Sequence, residues 1–407
     1  MQNLDLETLT EACRPGGASV LTAVTELAAA AGQHGAVAPA RYVRGSHATY
    51  AFETRYIDSA DTGPQPMGTV VLDSKGSSLN RVEAQLSAAI TDGHPALSRT
   101  PRIRVTYEGL APVTDLDLPH RAFDGHVRAG TIDGGGGPVT ADPRYRAARD
   151  STAADAKPLL ELSPISVVLG CWDSTRRSHQ VRFRSALVGE IIGVLADQSP
   201  DGRDIAPRGG ARSDAIAPSV RLSADQMEQL LSAQEAELSP KNAERVRQAV
   251  KKAKTGVTSA AGLGLGSIPP SLEGLGLVAC QRIIRSHVLS FSALRQLRFG
   301  LRPDGDAAAR GLLAALALNG LARSYDELLL RASCDLVETE EPRFMLDGRY
   351  GRTNKLTPLR IDAADALLEQ AIEVAVAAGV RWEGQVFEVT GNPLIAGGIV
   401  ADEDGGE

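Results

Sequence analysis

Apolar and polar positions alternate with two different periods along the chain, and these periods predict a mixture of strands and helices. Short β-branched or alternating segments predict strands at 68–72, 103–107 and 165–169. Apolar residues spaced three and four apart predict helices at 4–31, 79–90, 292–299, 306–331 and 362–379. Asn80 followed by Glu83 resembles a capping box at the start of the second of these helices. No repeat of fixed solenoid period interrupts the mixture.

The segment after the third predicted strand has two interpretations. Phe183, Leu187 and Ile191 fit one face of a helix, whereas the residues VRFR at 181–184 alternate like a strand. In a helix Arg182 and Arg184 would point about 200° apart, but in a strand they would share one face.

Residues 197–275 differ from the rest in being rich in glycine, proline, serine and charge. They contain a helical pattern at 226–231 and a basic helical pattern at 240–254. We interpret this region as an insertion, and it is the candidate for a projecting hairpin or finger. The last seven residues, ADEDGGE at 401–407, predict an acidic disordered tail.

Composition places the chain among ordinary globular proteins. It has 407 residues, 43% of them hydrophobic and 23% charged, and a net charge of −7. No apolar run is long enough to cross a bilayer and the N-terminus lacks a secretory pattern, so we expect a cytoplasmic protein without membrane contact. The four cysteines form no CxxC and the seven histidines no HExxH, so the sequence predicts no metal site and no cofactor.

Positive charge is concentrated in three stretches of this acidic chain. The stretch CWDSTRRSHQVRFRS at 171–185 holds four arginines and a histidine, and the other two basic stretches are 241–254 and 281–302. Net charge is a poor guide to nucleic-acid binding when charge is unevenly placed. The negative net charge therefore does not exclude nucleic-acid binding by these stretches.

Two segments combine small hydroxyl side chains with basic ones directly after a predicted strand. Such a loop at a helix start can hold phosphate oxygens. The first segment contributes Ser74, Lys75, Ser77, Ser78, Asn80 and Arg81, and the second contributes Ser174, Thr175, Arg176, Arg177 and His179. The alternative for each loop is an ordinary capped helix with exposed basic residues.

Aromatic residues make up only 4% of the chain, and no sequence pattern typical of a base-stacking RNA-recognition domain is present. If the protein binds RNA, we therefore expect it to hold the backbone more than to recognise bases, with strong dependence on salt.

The order of four motifs resembles a known family. VVLDSKGSSLNRVEAQL, ELSPISVVLGCWDSTRRSHQVRFRSALVGEIIG, GLGLGSIPPS and RSHVLSFSALRQLRF follow one another as in the RAMP-superfamily backbone subunit of type I-G CRISPR effector complexes. The resemblance extends from about residue 65 to about residue 300, and GCWDSTR with FRSALVGEIIG is its most specific part.

This resemblance implies a fold of the α+β class, namely a ferredoxin-like, RRM-type palm with large insertions and additional helices. It implies a single RAMP-type domain over 1–400, with a core mainly from 65–195 and 275–300. It further implies copies that stack along a CRISPR RNA and present it to target DNA, with base pairing giving specificity. Copies of itself and other subunits of the effector complex would be its protein partners.

The predicted function is therefore a non-catalytic, RNA-binding backbone subunit in antiviral defence. Its RNA contacts would come from both loops above, from Arg182 and Arg184, from Arg285, Arg295 and Arg298, and from Arg121. Three alternatives stay open from the sequence. One is a metal-independent RNA-processing endoribonuclease with His179 or His120 as general base, and a second is cleavage of target RNA by a loop aspartate. The third is a metabolic enzyme with a phosphate-bearing substrate.

Overall fold

The computed structural model describes residues 2–45, 47–59, 63–132, 136–199, 219–252, 256–266 and 276–396. The predicted tail at 401–407 and much of the predicted insertion lie outside these residues. The described residues belong to two units, a larger one from 1–43, 50–199 and 278–406 and a smaller one from 44–49 and 200–277. No helix in the described ranges has both the length and the apolar character that a membrane span requires.

Helices and strands are interspersed along the chain, which confirms the α+β class. The helices are α1 Leu6–Ala12, α2 Lys75–Thr91, α3 Gly125–Arg128, α4 Pro143–Arg149, α5 Lys157–Leu162, α6 Pro164–Val168, α7 Ala224–Gln234, α8 Pro240–Lys252, α9 Phe291–Leu294, α10 Pro303–Asp326, α11 Ile361–Ala377 and α12 Pro393–Ala396. The strands are β1 Val20–Ala29, β2 Ala36–Val37, β3 Arg41–Arg44, β4 His47–Tyr50, β5 Phe52–Ser59, β6 Gly63–Asp73, β7 Arg102–Thr106, β8 Val113–Thr114, β9 Thr131–Ile132, β10 Cys171–Trp172, β11 Arg182–Phe183, β12 Leu187–Leu195, β13 Arg221–Ser223, β14 Val257–Ser259, β15 Val278–Ser290, β16 Leu336–Glu338, β17 Arg343–Asp347, β18 Thr353–Leu356 and β19 Val386–Thr390.

The main sheet of the larger unit has the order β18-β17-β1-β15-β12-β6-β5, and every neighbouring pair in it is antiparallel. The short strand β16 pairs with the end of β1, and β2 pairs with β15. The two long central strands join residues that are far apart in sequence, with Val20 opposite Ser290.

The first predicted helix is wrong beyond residue 12, because 20–29 form the central strand β1. Leu21, Ala23 and Leu27 are buried on one face of that strand, with half-buried residues between them. Leu21, Val24, Leu27 and Ala28 also fit a helical spacing, so a short apolar segment satisfied both periods.

The predicted strand at 165–169 is also wrong, since Pro164–Val168 form the short helix α6. All five of these residues are buried, and full burial removes the periodicity that separates a helix from a strand. Pro164 at the first turn favours the helix because its missing N–H is not needed there. Of the two interpretations of the segment that follows, the structure has the strand: β11 lies within VRFR, and β12 begins at Leu187.

Other predicted elements are confirmed. The strand at 68–72 lies within β6, and the strand at 103–107 corresponds to β7, which ends at Thr106. The helices at 306–331 and 362–379 correspond to α10 and α11. The predicted helix 79–90 belongs to α2, but its N-cap is Ser74 rather than Asn80. Of the predicted helix at 292–299, only 291–294 are helical.

A second, smaller sheet in the larger unit joins the middle of the chain to its C-terminal part. Its order is β8-β7-β19-β9, and β7 pairs in parallel with β19 so that Arg102 lies opposite Val386. Residues beyond 300 also supply β17, β18, α10 and α11, so the last hundred residues complete both sheets and their helical cover.

The smaller unit has a core of its own. Its helices α7 and α8 bury Met227, Leu231, Val246 and Val250, and β13 pairs with β14 beside them. The predicted basic helix 240–254 is α8 as far as Lys252, and residues 253 and 254 lie outside the described residues.

Helix α10 is buried over most of its length and packs against α2 at a glycine. A Cβ atom at Gly320 would come within 2.7 Å of a methyl carbon of Val82 and 2.8 Å of Leu86. At Gly311 of the same helix, the nearest atom to such a Cβ is the Thr10 hydroxyl at 3.5 Å, which is ordinary contact.

The two glycines therefore predict opposite effects of the same substitution. We expect Gly320→Ala to lower the free energy of unfolding by roughly 1–3 kcal/mol through overpacking. Gly311→Ala should raise it by about 0.5–1 kcal/mol, because alanine is the better helix former. Urea denaturation of both variants measures the difference, and equal effects at the two positions would contradict the packing described here.

Candidate nucleic-acid interface

The arginine-rich stretch at 171–185 forms a short hairpin. Cys171 pairs with Phe183 and Trp172 with Arg182, so the residues between them form its turn. The hairpin follows Gly170, whose φ of +88° lies in the left-handed region. A Cβ atom there would lie 2.7 Å from the backbone nitrogen of Ser185, so only glycine fits this approach.

A buried carboxylate fixes the base of the turn. Asp173 is 1% exposed and accepts hydrogen bonds from the Arg149 guanidinium at 2.6 and 2.9 Å and from the Thr175 hydroxyl at 3.2 Å. Arg176 donates to Asp150 and to the backbone oxygen of Arg149, both at 2.6 Å. These contacts direct Arg176 into the protein and hold the turn against α4.

Arg121 is a second arginine that is engaged inside the protein. It forms a bidentate pair with Glu83 of α2, at 2.5 and 3.0 Å, and donates to the backbone oxygen of Gly170 at 2.8 Å. Burial raises the pKa of Glu83, although the charge of Arg121 opposes this effect. Arg121 thereby connects α2 to the start of the hairpin.

The segment that carries Arg121 rests on a buried polar network. The backbone N–H of Ala122 donates to the Ser166 hydroxyl, which lies 2.7 Å from the hydroxyl of Ser163. Ser163 donates to Asp115, which also accepts a hydrogen bond from the N–H of Ile103 at 3.1 Å. Burial raises the pKa of Asp115 to about 7.

This raised pKa predicts a pH dependence that Asp115→Asn should remove. Because the folded state holds a proton that the unfolded carboxyl releases near pH 4, the wild-type protein loses stability from this group as pH rises through 7. An asparagine can keep both contacts without a charge, because its oxygen can accept from the N–H of Ile103 while its amide nitrogen donates to the Ser163 hydroxyl, which then donates to Ser166. We therefore expect the stability of the variant relative to wild type to increase by roughly 2–3 kcal/mol between pH 5 and pH 8.

Urea denaturation at the two pH values gives this difference directly. The same difference between variant and wild type at pH 5 and at pH 8 would show that Asp115 is ionised in the folded protein throughout this range.

A groove of about 640 Å³ runs beside the hairpin. It is lined by Pro119, His120, Arg121, Leu169, Gly170, Cys171, Trp172, Arg182, Phe183, Arg184 and Ser185. No carboxylate is among these lining residues. Trp172 is 50% exposed and the Arg182 guanidinium lies over its ring, 5.3 Å from the ring centre.

The exposed cations of the hairpin differ from the engaged ones. Arg177 and Arg184 are exposed, and neither has a side-chain hydrogen bond or ion pair within the described ranges. Arg182 and Arg184 are exposed and Phe183 between them is buried, so the two arginines share one face, as the strand interpretation predicted. Ser174, Thr175 and His179 are also exposed on the turn, and His179 has a positive φ of 54°.

The first predicted phosphate loop forms the start of α2, and its members have different environments. Ser74 caps the helix by accepting from the N–H of Ser77, and Ser78 is buried with its hydroxyl 2.9 Å from His287. Arg81 is paired with buried Asp73 at 2.9 and 3.1 Å and also donates to Ser77. Lys75 and Asn80 are the exposed members of the loop.

The three arginines predicted from the third basic stretch also have different environments in the structure. Arg285 is buried, hydrogen-bonded to Thr25 and placed 3.6 Å above the centre of the Tyr325 ring. Arg295 donates to the backbone oxygens of Ala12 and Ala18. Arg298 is exposed, with the nearest carboxylate oxygen of Asp306 at 4.0 Å.

The predicted contact set thus divides into inward and exposed members. Ser78, Arg81, Arg121, Arg176, Arg285 and Arg295 make internal contacts, and Lys75, Arg177, Arg182, Arg184 and Arg298 reach the surface. Their role in RNA binding stays a prediction. Sequence analysis did not identify Trp172, whose signal was an apolar aromatic within a stretch of polar and basic residues.

In a comparison with known protein families, residues 21–198 match the family model of CRISPR-associated protein GSU0053. The match confirms the resemblance to a CRISPR-associated family and supports a role in CRISPR defence. It begins about 50 residues before the first of the motifs that carried the resemblance, and it does not include GLGLGSIPPS or RSHVLSFSALRQLRF. No curated protein matches the chain.

Proposed function

From the match of residues 21–198 to a CRISPR-associated family, we propose that the chain is a guide-RNA-binding backbone subunit of a type I-G effector complex. Copies of it polymerise along the CRISPR RNA in the cytoplasm, beside other subunits of the complex. The bound guide is then available for pairing with target DNA, so the protein itself needs no base specificity.

Strand order supports the palm that this proposal requires. In chain order, β1, α2, β12, β15, α10 and β17 form a β-α-β-β-α-β series, the pattern of a ferredoxin-like unit. The strands of this series lie in the order β17-β1-β15-β12, with all neighbours antiparallel. The hairpin of β5 and β6 is inserted between the first strand and its helix.

The observation that carries the proposal is a groove whose lining residues include no carboxylate, beside two arginines that have no side-chain partner in the part of the chain that the structure describes. Arg184 lines the groove and Arg177 lies on the adjoining turn. A guanidinium binds phosphate through two parallel hydrogen bonds, and an arginine that is already paired with a carboxylate is not available for this contact. The internal pairs of Arg149 and Arg176 keep the hairpin in place while Arg177 and Arg184 remain available.

A salt titration tests these two arginines. On single strands the slope of log affinity against log salt changes by about 0.7 for each phosphate neutralised. The double variant Arg177→Ala/Arg184→Ala should therefore flatten the slope by about 1.4, and by the same amount for guides of different sequence. Fluorescence anisotropy of labelled guide RNA at several salt concentrations gives the slope.

Its matched control is Arg343→Ala/Arg360→Ala, which removes the same charge. These arginines are exposed too, but each faces a glutamate, Glu340 and Glu341 respectively. We expect the control to keep the wild-type slope. If both double variants flatten the slope equally, the effect comes from net charge and not from the hairpin.

Assembly tests the backbone function as a whole. Each copy should cover a fixed length of guide, so mass photometry with guides of increasing length should show added copies in steps. A constant number of copies over a two-fold range of guide length would contradict the proposal.

We further propose that the subunit does not cleave RNA, against the alternative of an endoribonuclease. A general base is ordinarily oriented by a third group, often a carboxylate. Within the described ranges, the rings of His120 and His179 have no hydrogen bond to a carboxylate. Discrete cleavage of labelled repeat RNA that His179→Ala or His120→Ala abolishes would favour the nuclease.

A further inference from the structure

Trp172 is unusual among the large apolar side chains of the larger unit because it lies in a groove lined by arginines. Half of its side chain is exposed, whereas the other tryptophan of the chain, Trp382, is 1% exposed. Arg121, which is paired with Glu83, and Arg184 line the same groove, and no carboxylate is among its lining residues in the described ranges.

The backbone on either side of Trp172 is held in place, and one arginine contacts its ring. Its backbone pairs with Arg182, whose guanidinium lies over the ring at 5.3 Å from the centre. The preceding Cys171 is buried, and the following Asp173 is held by Arg149. A fixed aromatic surface loses little side-chain entropy when a planar group stacks on it.

We infer that Trp172 and Arg182 form a stacking site for one unpaired nucleotide base, whose flanking phosphates contact Arg184 and Arg177. The ligand class is single-stranded nucleic acid of any sequence, because every base has a π face that can stack. This inference rests on the proposed function and adds to it a base contact that the low aromatic content of the chain did not predict. Charge favours nucleic acid over a protein occupant, since the lining supplies cations and no acid.

The inference is tested with two ligands of equal charge, an oligouridylate and an abasic oligonucleotide of the same length. Wild-type protein should bind the oligouridylate between roughly 5-fold and 150-fold more tightly than the abasic strand for each stacked base. Trp172→Ala should lose this preference while its affinity for the abasic strand is unchanged. Trp172→Phe keeps an aromatic ring and should restore part of the preference.

Tryptophan fluorescence supplies a second measurement that does not depend on affinity. The difference between the spectra of wild-type protein and Trp172→Phe isolates the indole of Trp172, since Trp382 contributes to both. Oligouridylate should quench this difference signal, and the abasic strand should not.

The outcomes separate the inference from the function on which it rests. If Trp172→Ala weakens binding of both ligands equally, Trp172 supports the hairpin and the stacking site is excluded. If the difference signal changes when the protein is concentrated without nucleic acid, Trp172 contacts another copy of the chain and the inference is overturned. If wild-type protein binds neither ligand nor guide RNA, the proposed function itself fails. If the protein binds guide RNA and the Arg177/Arg184 double variant flattens the salt slope, but oligouridylate does not quench the signal, the proposed function stands. Only the stacking site is then excluded.

Discussion

Buried carboxylates hold several arginines of this protein in internal ion pairs. Asp73, Glu83 and Asp173 are each at most 5% exposed, and each is paired with an arginine, namely Arg81, Arg121 and Arg149. A carboxylate without such a partner would be costly to bury, and breaking a buried pair typically costs about 3–5 kcal/mol. These three pairs fix the beginning of α2, the contact between α2 and residue 170, and the base of the hairpin. The surfaces around the groove have their shape because these pairs are in place.

This constraint explains why sequence analysis could locate the basic stretches but could not tell their internal arginines from their exposed ones. A run such as Arg176-Arg177 looks uniform in sequence, yet Arg176 donates to Asp150 and to the backbone of Arg149 while Arg177 is exposed. The partners lie more than 25 residues away, and nothing local to the run indicates them. Trp172 was missed for a related reason, because its exposure depends on the pairing of Cys171 with Phe183 rather than on its own neighbours in sequence.

The secondary structure also divides into elements that local sequence predicts and elements that depend on distant partners. Elements with a strong period of their own, such as α11 or the strand β7, were predicted correctly, since one face of each is buried and the other is not. The stretches 20–29 and 165–169 were assigned wrongly, because their apolar residues fit more than one period. What decides between the periods is a partner strand or helix: β1 lies between β15 and β17, and α6 is enclosed on all sides. Such partners are hundreds of residues away in sequence for β1, so local patterns carry no information about them.

The parallel pairing of β7 with β19 has a consequence for the order of events during synthesis. Residues 102–106 leave the ribosome long before residues 386–390, with which they pair. At about 5–20 residues per second, the two strands are separated by tens of seconds of translation. During that interval β7 has only β8 beside it, and the segment that carries Asp115, Arg121 and the arginine hairpin is attached to an unfinished sheet. The sheet that supports this segment is therefore complete only after residues 386–390 have been synthesised.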